Sequence, residues 1–295
     1  MSPMVKVLCP AKLNLFLEVL ERRPDGYHEI ETVMHAVDLY DELVIEPLGS
    51  EAIELWCDEP GVPTDERNLV VRAARLVRER TGCRRGARIE LLKRIPLEAG
   101  LGGGSSDGAG ALVGLNLAWC LGLGEDELAA LAGEVGSDVP FFLVGGSALC
   151  TGRGERVRAV ACPRPLEFVV LCPPVRVSTA EAYRRLPSPL TWRKERATML
   201  LDALAGGDAE RIGRCLFNRL EQAAFAIAPS LAALKAQMIA AGSYLGVALS
   251  GSGSSLFGVC PRGSETGPCE AAEKLRVGRV YRVRSTTHGV QAQLA

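Results

Sequence analysis

The stretch PLEAGLGGGSSDGAG, from Pro96 to Gly110, decides the reading of this chain. Glycines at 100, 102, 103, 104 and 108 leave few side chains ahead of a run of helix formers, with Ser105 and Ser106 at the junction. A loop so poor in side chains lets backbone N–H groups approach a ligand, and the helix after it aims its positive end at the same place. A phosphate chain fits such a loop. It is not a P-loop, because no Gly-Lys-Ser/Thr follows. Nor is it the dinucleotide fingerprint: counted from Gly100 or Gly102, the last glycine of G-x-G-x-x-G is replaced by Ser105 or Asp107. Arg88 to Ile95, just before it, alternates apolar Ile89, Leu91 and Ile95 with polar residues and predicts a strand. Ser105 or Ser106 is expected to cap the helix, with Asp107 in its first turn. The alternative is an ordinary surface loop.

The 295 residues suggest one large domain or two smaller ones, and 47% hydrophobic residues are enough for a sizeable core. A net charge of −1 argues against a nucleic-acid binder with a strongly basic face. The local cluster Arg78, Arg80, Arg84, Arg85 and Arg88 reads as a solvated helix end and turn. Ten cysteines form no C-x-x-C pair and lie mostly in apolar runs, which predicts free buried thiols in a reducing compartment. His28, His35 and His288 have no ligand spacing, so no protein-held metal site is expected. With no signal-peptide pattern and no membrane-length apolar run, the expectation is a soluble, cytoplasmic protein with no membrane or nucleic-acid partner, monomer or homodimer.

Residues 5–20 alternate, with Leu13, Leu15, Leu17 and Val19 on one strand face and Lys12, Asn14, Phe16 and Glu18 on the other. Asp25-Gly26 supplies a turn into a second strand, Ile30 to Val37. Leu43 to Ile45 and Ala52 to Trp56 read as further strands, and Asn68 to Arg80 as a helix ended by Gly82. Helices are predicted from the glycine loop to about Leu121 and from Glu125 to Val135. Another element starts at Ser137 or Asp138 as cap, with Pro140 in its first turn. Ser147 to Arg158 reads as strand and tight Gly-Arg-Gly turn, and a boundary falls near Pro163-Arg164-Pro165. Beyond it, Leu166–Leu171, Gly246–Leu249, Ser254–Val259 and Val280–Arg284 read as strands. Ser178 and Glu181 form a capping box before a short helix. Arg193–Leu204, Asp208–Phe225 and Pro229–Ala241 are predicted helices. Strands mixed with helices in both halves predict an α+β protein of two sandwiches.

A second glycine-serine cluster, LSGSGSSLFG (Leu249–Gly258), lies between two predicted strands and offers several N–H groups. It is a plausible second wall of the same phosphate site. Lys12 in mid-strand and Asp138 at a helix start each have a plain structural reading, as a solvent-facing lysine and a cap.

Three motifs in order, PAKLNLFLEV (Pro10–Val19), PLEAGLGGGSSDGAG and LSGSGSSLFG, make the chain resemble the GHMP kinases, the family of galacto-, homoserine, mevalonate and phosphomevalonate kinases. The segments RPDGYHEIETVM, GSDVPFFLVGGSALCTGRGE and VRVSTAEAY narrow the resemblance to the branch acting on 4-diphosphocytidyl-2-C-methyl-D-erythritol, in the non-mevalonate route to isoprenoid precursors. The resemblance spans nearly the whole chain. It implies a two-domain fold: an N-terminal, ATP-binding, ribosomal-protein-S5-domain-2-like unit (1–160) and a C-terminal ferredoxin-like sandwich (161–295). It places Lys12 and Asp138 as catalytic residues. The ATP-phosphate loop is then Pro96, Leu97, Glu98, Ala99, Gly100, Leu101, Gly102, Gly103, Gly104, Ser105 and Ser106. Asn68, Leu69 and Lys93 fall at the adenine pocket, and Tyr27, His28 and Tyr183 around the cytosine ring. Asn14 and Thr179 are substrate contacts.

Aromatic side chains suit a cytosine, which offers two flat faces. The implied reaction moves the γ-phosphoryl group of ATP to the substrate's 2-hydroxyl, with Mg2+ held mainly through ATP rather than in a protein cage. Asp138 takes or orients the hydroxyl proton and Lys12 stabilises charge on the transferring group. Two positions depart from the family pattern. Glu98 puts a carboxylate where many relatives carry a small or apolar residue, facing either phosphates or solvent. Asp107 replaces a common asparagine and would compete with phosphate for the helix end. Other readings are a GHMP kinase for a small alcohol such as homoserine or mevalonate, a nucleotide-binding regulator that keeps the fold without activity, and an RNA-binding module.

Overall fold

The computed structural model describes residues 4–187, 194–264 and 266–295. Two sheets organise them. β1 (Val5–Arg22) and β2 (His28–Leu48) form a long antiparallel hairpin through the Asp25-Gly26 turn, with Gly26 at φ 87°. The separately predicted Leu43–Ile45 strand is the far half of β2. Its near half pairs with β5 (Ser147–Gly152) and its far half with β4 (Gly86–Leu92). β3 (Ile53–Cys57) lies parallel to β4, and β6 (Arg156–Val160) extends from β5. The second sheet runs β11–β7–β10–β9, all antiparallel, from β7 (Glu167–Cys172), β9 (Gly246–Leu249), β10 (Leu256–Val259) and β11 (Arg279–Arg284).

α1 (Leu69–Thr81) starts at Asn68, whose side chain accepts the Val70 N–H, and stops at Gly82 in the left-handed region. α2 (Gly103–Ala118), α3 (Glu125–Val135) and α4 (Val139–Val144) complete the layer on the first sheet. α2 lies close on the strands because two of its glycines present no side chain. A Cβ on Gly110 would sit 2.4 Å from Cys9 Sγ, and one on Gly114 2.5 Å from Ile45 Cδ1. A core of Val5, Val7, Leu43, Ile45, Ile89, Leu112 and Leu115 fills this layer. One face of the second sheet packs Phe168, Val170, Phe257 and Val259 with Leu13, Leu15 and Phe16 of β1 and with α6 (Lys194–Gly206). The other face packs against α5 (Thr179–Arg184), α8 (Glu221–Ile227) and α9 (Pro229–Ala240). α10 (Thr266–Glu273), which the sequence reading did not pick out, packs beside β7 and β11.

Four expectations change. The α2 start lies earlier than predicted: Gly102 is the N-cap, at φ 74°, and neither Ser105 nor Ser106 caps the helix, both lying inside it. The predicted Asp208–Phe225 helix is broken into α7 (Ala209–Cys215) and α8. Between them β8 (Phe217–Asn218) pairs parallel with Phe16 and Leu17 of β1. The Asn218 side chain there donates to the carbonyls of Leu249 and Gly251 and accepts the Leu220 N–H, tying the break to the second glycine-serine cluster. A final strand, β12 (Gln291–Leu294), also missing from the sequence reading, returns to pair with Val5–Leu8 of β1. Of the ten free cysteines only Cys9, Cys150, Cys172 and Cys260 are buried. Arg193, the start of the predicted 193–204 helix, lies outside the described residues. The arginine cluster is spent on ion pairs such as Arg78–Glu51, Arg80–Glu134 and Arg88–Glu46.

His35 of β2 stitches the first sheet to the chain's end. Its Nδ1 bonds Ser147 Oγ and its Nε2 bonds Ser285 Oγ, each at 2.7 Å. Burial pushes the imidazole down to about 4, so it is neutral in the fold. Below its ordinary value of 6.5 the unfolded chain takes up a proton that the folded chain refuses. Stability therefore falls as pH drops from about 6.5 to about 4, by about 3 kcal/mol from this group. Urea unfolding of His35→Gln across that range should show a shallower loss than the parent chain; identical slopes would remove His35 from the account.

Candidate active site

The N-terminus of α2 opens into a cleft of about 1290 Å³ whose walls come from β1, β2, the start of α5 and the turn between β9 and β10. Gly102 hands the chain to the helix with no side-chain cap, leaving the first-turn N–H groups for a ligand. Side chains are excluded at the two loop positions where the backbone is tightest. A Cβ on Gly100 would lie 2.0 Å from the Ser250 carbonyl oxygen, and one on Gly102 2.8 Å from Phe142 Cζ and 3.0 Å from Lys12 Cγ. The second glycine-serine cluster packs directly on the first. Ser250 Oγ donates to the Gly100 carbonyl (2.9 Å), and the Ser255 N–H to that of Ala99 (3.1 Å).

Lys12 rises from β1 into the floor of this junction with only 4% of its side chain exposed. Its Nζ donates to Asn14 Oδ1 (2.6 Å) and to the Gly100 carbonyl (2.8 Å), and stands 3.9 Å from Asp138 Oδ2. Burial pulls the ammonium below its usual range, and the Asp138 charge pulls it back up. Asn14 is fixed in turn by a bond from its amide to Thr32 Oγ1 (2.9 Å), whose hydroxyl donates to the Phe16 carbonyl. Asp138 occupies the N-cap position of α4 but its carboxylate makes no capping bond, so it is open to the cleft at 32% exposure. The structural readings of both residues therefore fail: Lys12 does not face solvent and Asp138 does not cap.

Tyr27, His28 and Tyr183 also line the cleft. The rings of His28 and Tyr183 stack at 5.0 Å between centroids and 29° between planes. A ring inserted between two others needs twice a van der Waals contact, about 7 Å, so the pair leaves no room for a third ring within it and offers only its outer faces. Tyr27 is 52% exposed, and the guanidinium of Arg153 sits 4.9 Å from its centroid. Burial pushes the Tyr183 phenol up, with Asp138 adding to it, and burial pulls His28 down, with the Arg22 charge adding to that. Thr179, first residue of α5, shares a 2.7 Å bond with Ser252 of the second cluster.

The cleft thus collects Lys12, Asn14, Tyr27, His28, Gly100, Gly102, Asp138, Thr179 and Tyr183. It does not collect Asn68, Leu69 or Lys93, which lie behind the glycine loop. Asn68 caps α1, Leu69 packs on Gly108, and the Lys93 ammonium is 5% exposed between the carboxylates of Asp41 and Asp107. Asp107 faces this buried cluster instead of competing for the helix end. Its carboxyl is pushed up by burial and by Asp41, against the pull of Lys93. Asp41 also accepts the N–H groups of Arg94 and Ile95, where the chain enters the loop. Glu98 turns to solvent, with a left-handed backbone (φ 53°) and a 3.4 Å pair to Arg176. Of the rest of the loop, Ala99 and Leu101 are core residues and Leu97 is exposed. Sequence reasoning missed Thr32, Asn218 and Arg153, and it marked Ser252 only as part of the second glycine-serine cluster. Of the three missed residues, only Arg153 had a signal in the sequence, the Gly-Arg-Gly turn around it.

Family models match at both ends of this arrangement: "GHMP kinases N terminal domain" over residues 68–146 and "GHMP kinases C terminal" over 200–272. The 4-diphosphocytidyl-2-C-methyl-D-erythritol kinase of Symbiobacterium thermophilum is 48% identical over 265 residues, 87% of this chain and 91% of its own. That of Pelotomaculum thermopropionicum is 46% identical over 256 residues, 86% of this chain and 88% of its own. The chain belongs to the 4-diphosphocytidyl-2-C-methyl-D-erythritol kinase branch of the GHMP kinases. A crystal structure of a kinase of that name, 40% identical, superposes with a TM-score of 0.76 over 95% of this chain and 98% of its own. Homoserine kinase from Cytophaga hutchinsonii, 24% identical, shares the fold with a TM-score of 0.79 over 99% and 98% of the two chains.

Lys93→Met would leave two buried carboxylates without their cation, and unfolding should cost about 3–5 kcal/mol less than in the parent chain. Asp107→Asn, which removes one of the two acids, should lose markedly less. Urea titration without nucleotide measures both, and a neutral Lys93→Met would mean that the cluster does not hold the loop.

Proposed function

We propose that this chain transfers the γ-phosphoryl group of ATP to the 2-hydroxyl of 4-diphosphocytidyl-2-C-methyl-D-erythritol in the cytoplasm. The supporting observation is that one cleft joins an uncapped helix N-terminus, the Lys12–Asp138 pair and an aromatic cluster. An acceptor that carries both a flat base and an alcohol matches a cleft that offers both kinds of partner.

The loop 96–106 holds the ATP phosphates, with the uncapped N–H groups at the start of α2 turned to them, and Asn68 and Leu69 are assigned to the adenine on the side of that loop away from Lys12 and Asp138. Lys93 supports the loop from beneath. Phosphoryl transfer passes through a loose transition state, so placement and neutralisation of charge carry most of the catalysis. Lys12 is suited to this because its ammonium is already desolvated and fixed by Asn14 and Gly100, and pays no reorganisation when charge develops. Asp138, free of capping duty, orients the acceptor hydroxyl and takes its proton. Tyr27, Tyr183 and His28 receive the cytosine, with Thr179 and Asn14 near the acceptor. Magnesium enters with the nucleotide. A hard cation takes oxygen donors, and Ser106 keeps a buried hydroxyl without a partner in the first turns of α2. When bound, the ion neutralises phosphate charge.

A screen of ATP-dependent ADP release should show turnover with the cytidylated alcohol and far less with uncytidylated sugars, homoserine or mevalonate. Asp138→Asn should lower kcat by about 10²-fold or more. Equal turnover on mevalonate would redirect the assignment to a small-alcohol kinase, and near-native turnover by Asp138→Asn would refute its role.

A further inference from the structure

The turn between β5 and β6 reads Gly152-Arg153-Gly154, with both glycines at positive φ (75° and 117°). Its backbone is held on two sides, the Gly152 N–H donating to Glu29 (3.1 Å) and the Arg153 N–H to Glu155 (2.6 Å). A Cβ on Gly154 would lie 3.5 Å from Asp138 Oδ1, so this turn abuts the acid at the reacting end of the cleft. The Arg153 side chain leaves that point and ends over the ring of Tyr27 at the aromatic end. The turn thus meets the acid at Gly154 and the aromatic cluster through Arg153.

Its charge is uncommitted. The guanidinium makes one long bond, 3.4 Å to the Gly133 carbonyl, and among the described residues it has no carboxylate within ion-pair distance. Asp25 feels its field but is bonded to Arg23. The other basic groups lining the cleft are placed differently. Lys12 is engaged beside Asp138, and Arg22 and Arg184 are exposed at the rim. A half-buried guanidinium stacked on an aromatic face and lacking an acid is a preorganised receptor for phosphate oxygens.

We propose that Arg153 determines specificity for the diphosphate of the acceptor, gripping it between the base-binding aromatics and Asp138 while its face keeps Tyr27 in place. The proposal rests on the cytidylated acceptor assigned above. It explains how an enzyme of this fold selects an alcohol attached to a nucleoside diphosphate: the cation lies over the Tyr27 ring on a turn that abuts Asp138, so an acceptor reaching from the base site to that acid carries its diphosphate past it.

The test measures binding of CDP and of cytidine by calorimetry, with a non-hydrolysable ATP analogue filling the glycine loop, in the parent chain, Arg153→Met and Arg153→Lys. The parent should favour CDP over cytidine by about tenfold or more. Arg153→Met should abolish that preference, and Arg153→Lys should keep part of it, since charge remains but the planar fork is lost. In steady state the Arg153→Met loss should fall on KM for the cytidylated alcohol, with KM for ATP unmoved. A merely structural role would move both and lower Tm. An unchanged CDP-to-cytidine ratio in Arg153→Met overturns the proposal while leaving the kinase assignment intact. A parent chain that binds neither probe overturns the cytidine-binding reading itself, and this proposal with it.

Discussion

The buried ammonium of Lys12 is the constraint around which the site is arranged. Bringing a lysine almost wholly out of water costs several kcal/mol unless its donors are met. Here Asn14 and the Gly100 carbonyl meet them and Asp138 supplies the opposing charge. Each partner sits on a different element: β1, the glycine loop and the start of α4. Satisfying one cation therefore fixes the three elements against each other. The lysine stem needs the gap left by Gly102, so the same glycine serves the helix start and the lysine's seat.

The glycine loop is held from both sides. Above it, Ser250 and Ser255 of the second cluster bond the Gly100 and Ala99 carbonyls. Below it, Asp41 binds the Arg94 and Ile95 N–H groups and shares Lys93 with Asp107. Cores on either side leave the loop little freedom, and its exposed face keeps free N–H groups because no side chain caps α2. Stability and binding are served by one arrangement. The helix glycines that let α2 sink onto the sheet bring its positive end down to the level of Lys12.

The two halves of the chain are joined through β1. β12 and β8, from the second half, pair with the start of this strand and with its later half. Glu18, fully buried on β1, is bound in a fork by Arg219 beside β8 at 2.5 and 2.7 Å. Asn218 then carries the connection on to the second glycine cluster. The cleft lies where these links converge, which is why its walls draw on β1, α2, α4, α5 and the β5–β6 turn together.

Much of this was legible in the residues. Alternation marked β1 and most strands, Asn68 and Gly82 bounded α1, and glycine density marked the loop, because these are local signals of backbone conformation and period. The break at Phe217-Asn218 was not legible, since no glycine or proline marks it and the strand exists only because β1 is there to pair with. Ser105 and Ser106 looked like caps because composition shows a junction but not the φ of Gly102 that starts the helix earlier. Asp107 and Lys93 looked like nucleotide-side residues, and tertiary packing turned them towards Asp41. By itself, then, the sequence determined the elements, the glycine loops and the family pattern of Lys12 and Asp138. Only the tertiary structure decided which charged groups meet, because ion pairing and burial join groups from 14 residues apart (Lys93 and Asp107) to 201 (Glu18 and Arg219), separations about which local pattern carries no information.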